Sequence, residues 1–324
     1  MKKSLISLAV AAGLTASGVA NAAPTAYGFM DIAIVDQDSV GELNLVSTTS
    51  AFGLKGSEDL GDGMKAIYKI ELQVDLDDRQ NPGSGGGTGP GVTDRDQWLG
   101  LKGGFGKVVF GTTSSNYKQM GGKIDPFYRT VIQARSVGQQ SSLHSGANED
   151  GGRMTSAIQY TSPNFSGITV VLNTTMHASA DEASGVGIRY KSKQLTAWVD
   201  TLSGQGDGSG ALSGTFDSAT KVGVKFAATD QLTLGAQIES IDLVGGGETD
   251  VSFLSATFGL DKNNTIAFTY GITDDVVSGI NFGIWHKLSK MTHAYVALNS
   301  TSDEVTGSSA ADDDFLVIGL RKKF

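Results

Sequence analysis

The chain has 324 residues, with 44 glycines, only 5 prolines, no cysteine and a formal charge of −9. An acidic chain without a basic cluster repels phosphate backbones, which argues against nucleic-acid binding; the missing cysteines exclude thiolate metal sites and cysteine nucleophiles. Apolar residues make up 39% of the chain, below the roughly 45–50% usual for globular domains, so a large soluble core is not expected.

Met1-Lys2-Lys3 is a short basic start, followed by an apolar run from Leu5 to Val10 and on to Leu14. Val19-Ala20-Asn21-Ala22 supplies a small-residue cleavage site. This pattern predicts a secretory signal peptide over 1–22, leaving 23–324 as the exported domain. No later segment approaches the roughly 20 consecutive apolar residues that a spanning helix needs.

From there, helical periodicity is weak and period-two alternation recurs. Strands are expected near 25–36, 44–57, 64–76, 95–102, 107–115, 153–161, 168–178, 185–191, 195–203, 217–227, 231–242, 250–260, 265–273, 278–287, 291–300 and 313–324, sixteen in all. The clearest is 64–76. Tyr68, Ile70 and Leu72 fall on one face; Lys65, Lys69 and Glu71 fall on the other. By the same parity Tyr160, Phe226, Ile266 and Phe268 point outward, and Arg189 points inward. Arg95 takes the face opposite Trp98, and Arg153 the face opposite Met154. The last strand puts Leu316, Ile318, Leu320 and Phe324 on one side and Phe315, Val317, Gly319, Arg321 and Lys323 on the other.

Short Gly-, Asn- and Asp-bearing connections, such as 58–63 and 103–106, alternate with longer ones, such as 77–94 and 116–152. Tyr160, Tyr190, Phe226, Phe258 and Phe324 gather beside the short turns. Apolar-out and polar-in strands, an even strand count, unequal rims and an aromatic girdle together predict an all-β fold: a sixteen-stranded antiparallel transmembrane barrel whose last strand closes on the first. The connection 116–152 is by far the longest, and a connection of that length is expected to be functional.

Catalysis is not expected. His144-Ser145 lies in the long connection, but no G-x-S-x-G, H-E-x-x-H or phosphate-loop pattern occurs. The glycine-rich run 82–91 reads as a flexible loop. Trp198 and Trp285 are inward by parity, yet their strands are too far apart to make the aromatic track of a sugar channel.

Several blocks resemble the general diffusion porins of Gram-negative bacteria, and among them the neisserial type. They are Ala26-Tyr27-Gly28, the stretch from Phe52 through Gly63 to Ala66, Arg95-Asp96-Gln97-Trp98 through Gly106, Gly151-Gly152-Arg153, Ile158 through Phe165, and Gly319-Leu320-Arg321-Lys322-Lys323-Phe324. The resemblance implies a homotrimer in outer-membrane lipid and lipopolysaccharide, passive passage of ions and small hydrophilic solutes, and no cofactor or metal. It also implies that 116–152 folds into the lumen and constricts the pore.

In such porins, arginines on the wall face carboxylates on the infolded loop. Arg95 and Arg153 match two wall arginines by their flanking residues. Lys55 and Lys69 are inward by parity and extend that wall. Within the loop, Lys118, Arg129 and Arg135 are candidate lining cations, and Asp125 is the candidate carboxylate. The loop lacks the Pro-Glu-Phe-Gly stretch of enteric porins. An anion- or nutrient-preferring channel therefore stands as an alternative, while acidic outer loops such as Asp77-Asp78 and Asp181-Glu182 would attract cations.

Overall fold

Strands that are apolar outside and polar inside can satisfy their backbone in lipid only as a sheet closed on itself. The computed structural model describes residues 23–77, 92–144, 152–176, 183–204, 216–274, 276–303 and 313–324. The expected signal peptide, the glycine-rich run, Glu149-Asp150 and Asp181-Glu182 lie outside them.

The strands are β1 (Thr25–Gln37), β2 (Asn44–Val46), β3 (Ala51–Gly61), β4 (Met64–Val74), β5 (Val92–Gly103), β6 (Gly106–Ser114), β7 (Arg153–Thr161), β8 (Ile168–Thr175) and β9 (Ser184–Lys191). They continue as β10 (Leu195–Ser203), β11 (Phe216–Ala227), β12 (Leu232–Leu243), β13 (Glu248–Gly259), β14 (Asn264–Thr273), β15 (Val277–Lys287), β16 (Thr292–Asp303) and β17 (Asp313–Lys323). The short β2 and the longer β3 both pair along one edge of β1, so together they are one barrel strand. At the break, the Ser50 hydroxyl accepts from the Asp31 amide at 2.9 Å and donates to the Asp31 carbonyl at 3.2 Å, replacing ladder bonds. The result is the expected sixteen-stranded antiparallel barrel, closed by β17 on β1 with Ile34 opposite Ile318. At the rim the Gly28 amide donates to the Phe324 carbonyl at 3.0 Å, and the Phe324 amide donates to the Gly28 carbonyl at 3.1 Å. A Cβ at Gly28 would sit 2.4 Å from the Phe324 ring, so glycine is what lets that ring lie flat across the seam.

Parity holds along most of the wall. Ile70, Phe226 and Phe268 are exposed on the outside, whereas Lys69 and Arg189 reach partners inside the barrel. Tyr190, Phe226, Phe258 and Phe324 are exposed beside the short turns, as a girdle requires. One turn is tighter than expected. β3 and β4 run on to leave only Asp62 and Gly63, at φ 50° and 75°, the two positive-φ residues that a two-residue hairpin demands.

The segment after β6 turns inward. It carries short regular elements of its own. Helix α1 (Asn116–Gly121) is capped by the Ser115 side chain, which accepts from the Lys118 amide, and two single 3₁₀ turns follow at Ala134–Ser136 and Ser142–His144. Six residues are too few to show helical periodicity, so α1 leaves no periodic signature in the sequence. The loop is moored across the barrel. Tyr117 Oη donates to Glu239 on β12 at 2.9 Å, Thr269 on β14 donates to Gln139 Oε1 at 2.6 Å, and Asn281 on β15 donates to the Ile132 carbonyl at 2.8 Å. A Cβ at Gly271 would lie 2.4 Å from the Gln139 carbonyl oxygen; glycine is what allows the loop backbone to lie on β14. Among the described residues three apolar clusters lie beneath the loop, one around Tyr117, Met154, Phe216 and Ile241, one around Phe127, Ile132, Tyr295 and Val317, and one around Met120, Ile124, Trp198 and Phe253. One side of the interior is thus filled like a core, and a cavity is left on the other.

Candidate permeation site

The charged wall of that cavity depends on a bulge. Ile70 pairs with Gln97 and Leu72 with Asp94, so Glu71 alone opposes both Arg95 and Asp96. The extra residue turns two neighbours inward where alternation permits one. Beyond it Trp98 also lines the interior, which corrects the expectation that Trp98 and Arg95 take opposite faces. A second bulge on β7 sets Thr155 and Ser156 against Thr112, with Ser156 at φ 45°. It carries Met154 inward, fully buried under the loop and not opposite Arg153.

Five charges then meet on β4, β5 and β7. Arg95 Nε lies 2.7 Å from Glu71 Oε1, and its Nη1 donates to Gln73 Oε1 at 3.0 Å. Arg153 Nε lies 2.8 Å from Asp96 Oδ1; Lys69 Nζ lies 2.8 Å from Asp96 Oδ2 and 3.2 Å from Glu71. Tyr27 Oη donates to Glu71 at 2.8 Å. Arg95 and Arg153 therefore find their carboxylates beside them on the wall, not across the pore on the loop. Both are buried. Glu71 was legible as an inward residue of 64–76, but nothing marked it as a partner; Asp96 was hidden by the bulge.

Asp125 is no opposing pole. Its Oδ1 accepts from the Phe127 amide at 2.8 Å and its Oδ2 from the Ala134 amide at 2.9 Å, so it braces the loop's own turn. Burial raises its pKa to about 6, against the two amide bonds. Arg129 sits 3.6 Å above the Phe29 ring, and Arg135 sits 5.0 Å from the Tyr128 ring. Lys118 Nζ donates to the His144 carbonyl at 2.9 Å, and Arg135 donates to the same oxygen. Burial, then Arg135, Arg153 and Arg95, push the Lys118 ammonium well below its ordinary pKa. Lys55 pairs across the strands with Lys69 and sits over the Tyr27 ring at 4.7 Å, with Lys69 6.0 Å from the same ring. His144 in the loop is buried with Nε2 2.9 Å from Lys221 Nζ, a packed position and not a reactive one.

Between loop and wall lies a cavity of about 550 Å³. Seven lysines and arginines line it against two aspartates, Asp96 and Asp125. Lys107, Lys123 and Lys323 join this lining, although no sequence pattern marks any of them for the pore. Among the described residues, Lys107, Lys123, Arg129 and Lys323 have no carboxylate within ion-pair distance. The potential is strong enough to act on a phenol. Burial opposes ionisation of Tyr128, yet Arg135, Arg129 and Arg95 outweigh it and hold its pKa below the usual value. Among the described residues no cluster of His, Asp and Glu could hold a metal ion.

Residues 7–306 match a family model described as Gram-negative porin. The chain belongs to that family. It is 28% identical to outer membrane porin protein 32 of Delftia acidovorans over 91% of this chain and 88% of that one. It is 32% identical to the major outer membrane protein P.IB of Neisseria meningitidis over 59% of this chain and 56% of that one. Among solved structures, the anion-selective porin from Comamonas acidovorans superposes with a TM-score of 0.73 at 22% identity, covering 93% of this chain and 99% of that one. The trimer form of OmpT, an outer membrane protein of Vibrio cholerae, gives 0.67 at 14% identity over 93% and 99%. This porin is accordingly an outer-membrane channel for passive diffusion of ions and small hydrophilic solutes, and not an enzyme.

Proposed function

We propose that this porin is an anion-preferring channel whose narrowest passage runs between the Asn116–His144 segment and the β4–β7 wall. The observation that carries the reading is the unequal lining of the cavity, seven cations against two aspartates, with four of those cations, Lys107, Lys123, Arg129 and Lys323, outside ion-pair distance of any carboxylate among the described residues. Glu71 and Asp96 are each matched by more than one cation, and Asp125 is turned into its own loop. Fixed charges in a narrow, partly desolvated passage act with little screening. The Comamonas acidovorans protein, which shares the fold, is described as anion-selective. The test is the reversal potential of the purified protein in a planar bilayer across a potassium chloride gradient. The sign expected is that of chloride passage; the opposite sign would place the selectivity in the acidic outer rim, where Asp242, Glu248 and Asp250 stand.

We further propose a homotrimer, exported with 1–22 removed, lying in outer-membrane lipid and lipopolysaccharide. The trimer form of the Vibrio cholerae structure supports the assembly. Conductance in three correlated steps is the expected result; single independent steps would count against it.

A further inference from the structure

We infer that the cavity beside the β4–β7 wall is a subsite for small aromatic carboxylates, an inference that rests on the anion preference proposed above. The rings of Phe29, Trp98 and Tyr128 and the cations Lys107, Lys123 and Arg129 line the same space. A passage that selected by charge and width alone would gain nothing from an indole in its wall, since apolar area held in water is unfavourable. Trp98 reaches the interior only because of the bulge at Arg95 and Asp96. Each ring has a cation near its face. Lys107 Nζ is 5.8 Å from the Trp98 ring centre, and the Arg129 guanidinium is 3.6 Å from that of Phe29 and 5.3 Å from that of Tyr128.

A solute entering here meets positive charge and aromatic surface within one ring-width of each other. A carboxylate attached directly to a flat ring answers both. The carboxylate takes charge-assisted hydrogen bonds from Lys107 or Arg129, and the ring lies in offset or edge contact with Trp98 or Tyr128. A neutral aromatic lacks the first attraction, and chloride lacks the second. The 550 Å³ volume falls in the range of small-molecule pockets and leaves space for water beside such a solute. Binding strong enough to enrich the solute yet weak enough to release it is what passage requires.

The experiment uses the whole protein in planar bilayers in potassium chloride, titrated with benzoate or with cyclohexanecarboxylate. The two acids share charge and approximate size, but only one is flat. The expected half-blocking concentration of benzoate is about fivefold lower, a ratio in line with one ring contact. Trp98→Leu should erase that gap, and Trp98→Phe, which keeps a flat ring, should retain most of it and serves if the leucine variant fails to assemble. Equal block by the two acids, or an unchanged gap in Trp98→Leu, overturns the inference. The wild-type reversal potential, read in the same bilayer, separates the two ideas. Chloride-sign potential with equal block sinks the aromatic subsite alone, whereas potassium-sign potential sinks the anion preference and the subsite together.

Discussion

The two sides of the infolded loop are made of similar residues and behave differently. Toward β10–β15, inward polar groups such as Glu239, Thr269 and Asn281 are used up on the loop, and apolar side chains fill what remains. Toward β4–β7, the inward groups pair among themselves along the wall and leave the 550 Å³ cavity before the loop. Inward parity is therefore only half a description of a barrel interior. Which partner an inward residue meets decides whether it belongs to a core or to a passage.

The strongest way to break that contrast is to unseat the loop from its packed side. Gly271→Val places atoms where the Gln139 backbone lies, an overpacking that costs about 1–3 kcal/mol. The loop should shift toward the open cavity, and single-channel conductance should fall severalfold. Unchanged conductance would mean that the mooring on β14 does not set the width of the passage.

A smaller effect is expected on the charged side. Replacing Arg95 and Arg153 together by Gln removes one cation from each of Glu71 and Asp96 and leaves Lys69 to face both. The wall becomes net negative, and the chloride-to-potassium permeability ratio should drop by roughly fivefold at low salt, about 1 kcal/mol. The change should fade as salt rises. Should the double variant keep the wild-type potential, Lys107, Lys123 and Arg129 carry the preference.

The smallest effect sharpens the contrast at the loop itself. The pKa of Asp125 is raised to about 6 by burial. Its contribution to loop seating is thus full below the ordinary carboxylate value of about 4 and is lost as pH rises through about 6. Open-channel noise should grow over that window by less than about twofold, because many other bonds hold the loop. Asp125→Asn should flatten the dependence; noise that still follows pH in that variant assigns the titration to another group.

Most of the wall was legible because alternation is a local property, and Tyr68, Phe226 and Lys69 fall where parity puts them. The departures were not legible, because a bulge leaves no mark in composition. Arg95-Asp96 and Thr155-Ser156 look like ordinary steps along a strand, yet each reverses the parity of the residues beyond it. The loop's helix was too short for its period to register, and the role of Asp125 depends on the amides of Phe127 and Ala134, which no pattern of side chains announces. The signal that could have found Asp96 was its own sequence: two adjacent opposite charges entering a strand that otherwise alternates.

The seam at Gly28 and Phe324 has a bearing on biogenesis. These partners stand at opposite ends of the folded chain, so the rim bonds between them cannot form until the whole of the intervening polypeptide is in place. Until then the edge of β1 is an open template for a stranger's strand. Closing that edge joins residues nearly the whole described chain apart, the kind of non-local contact whose loop-closure cost makes it slow to form.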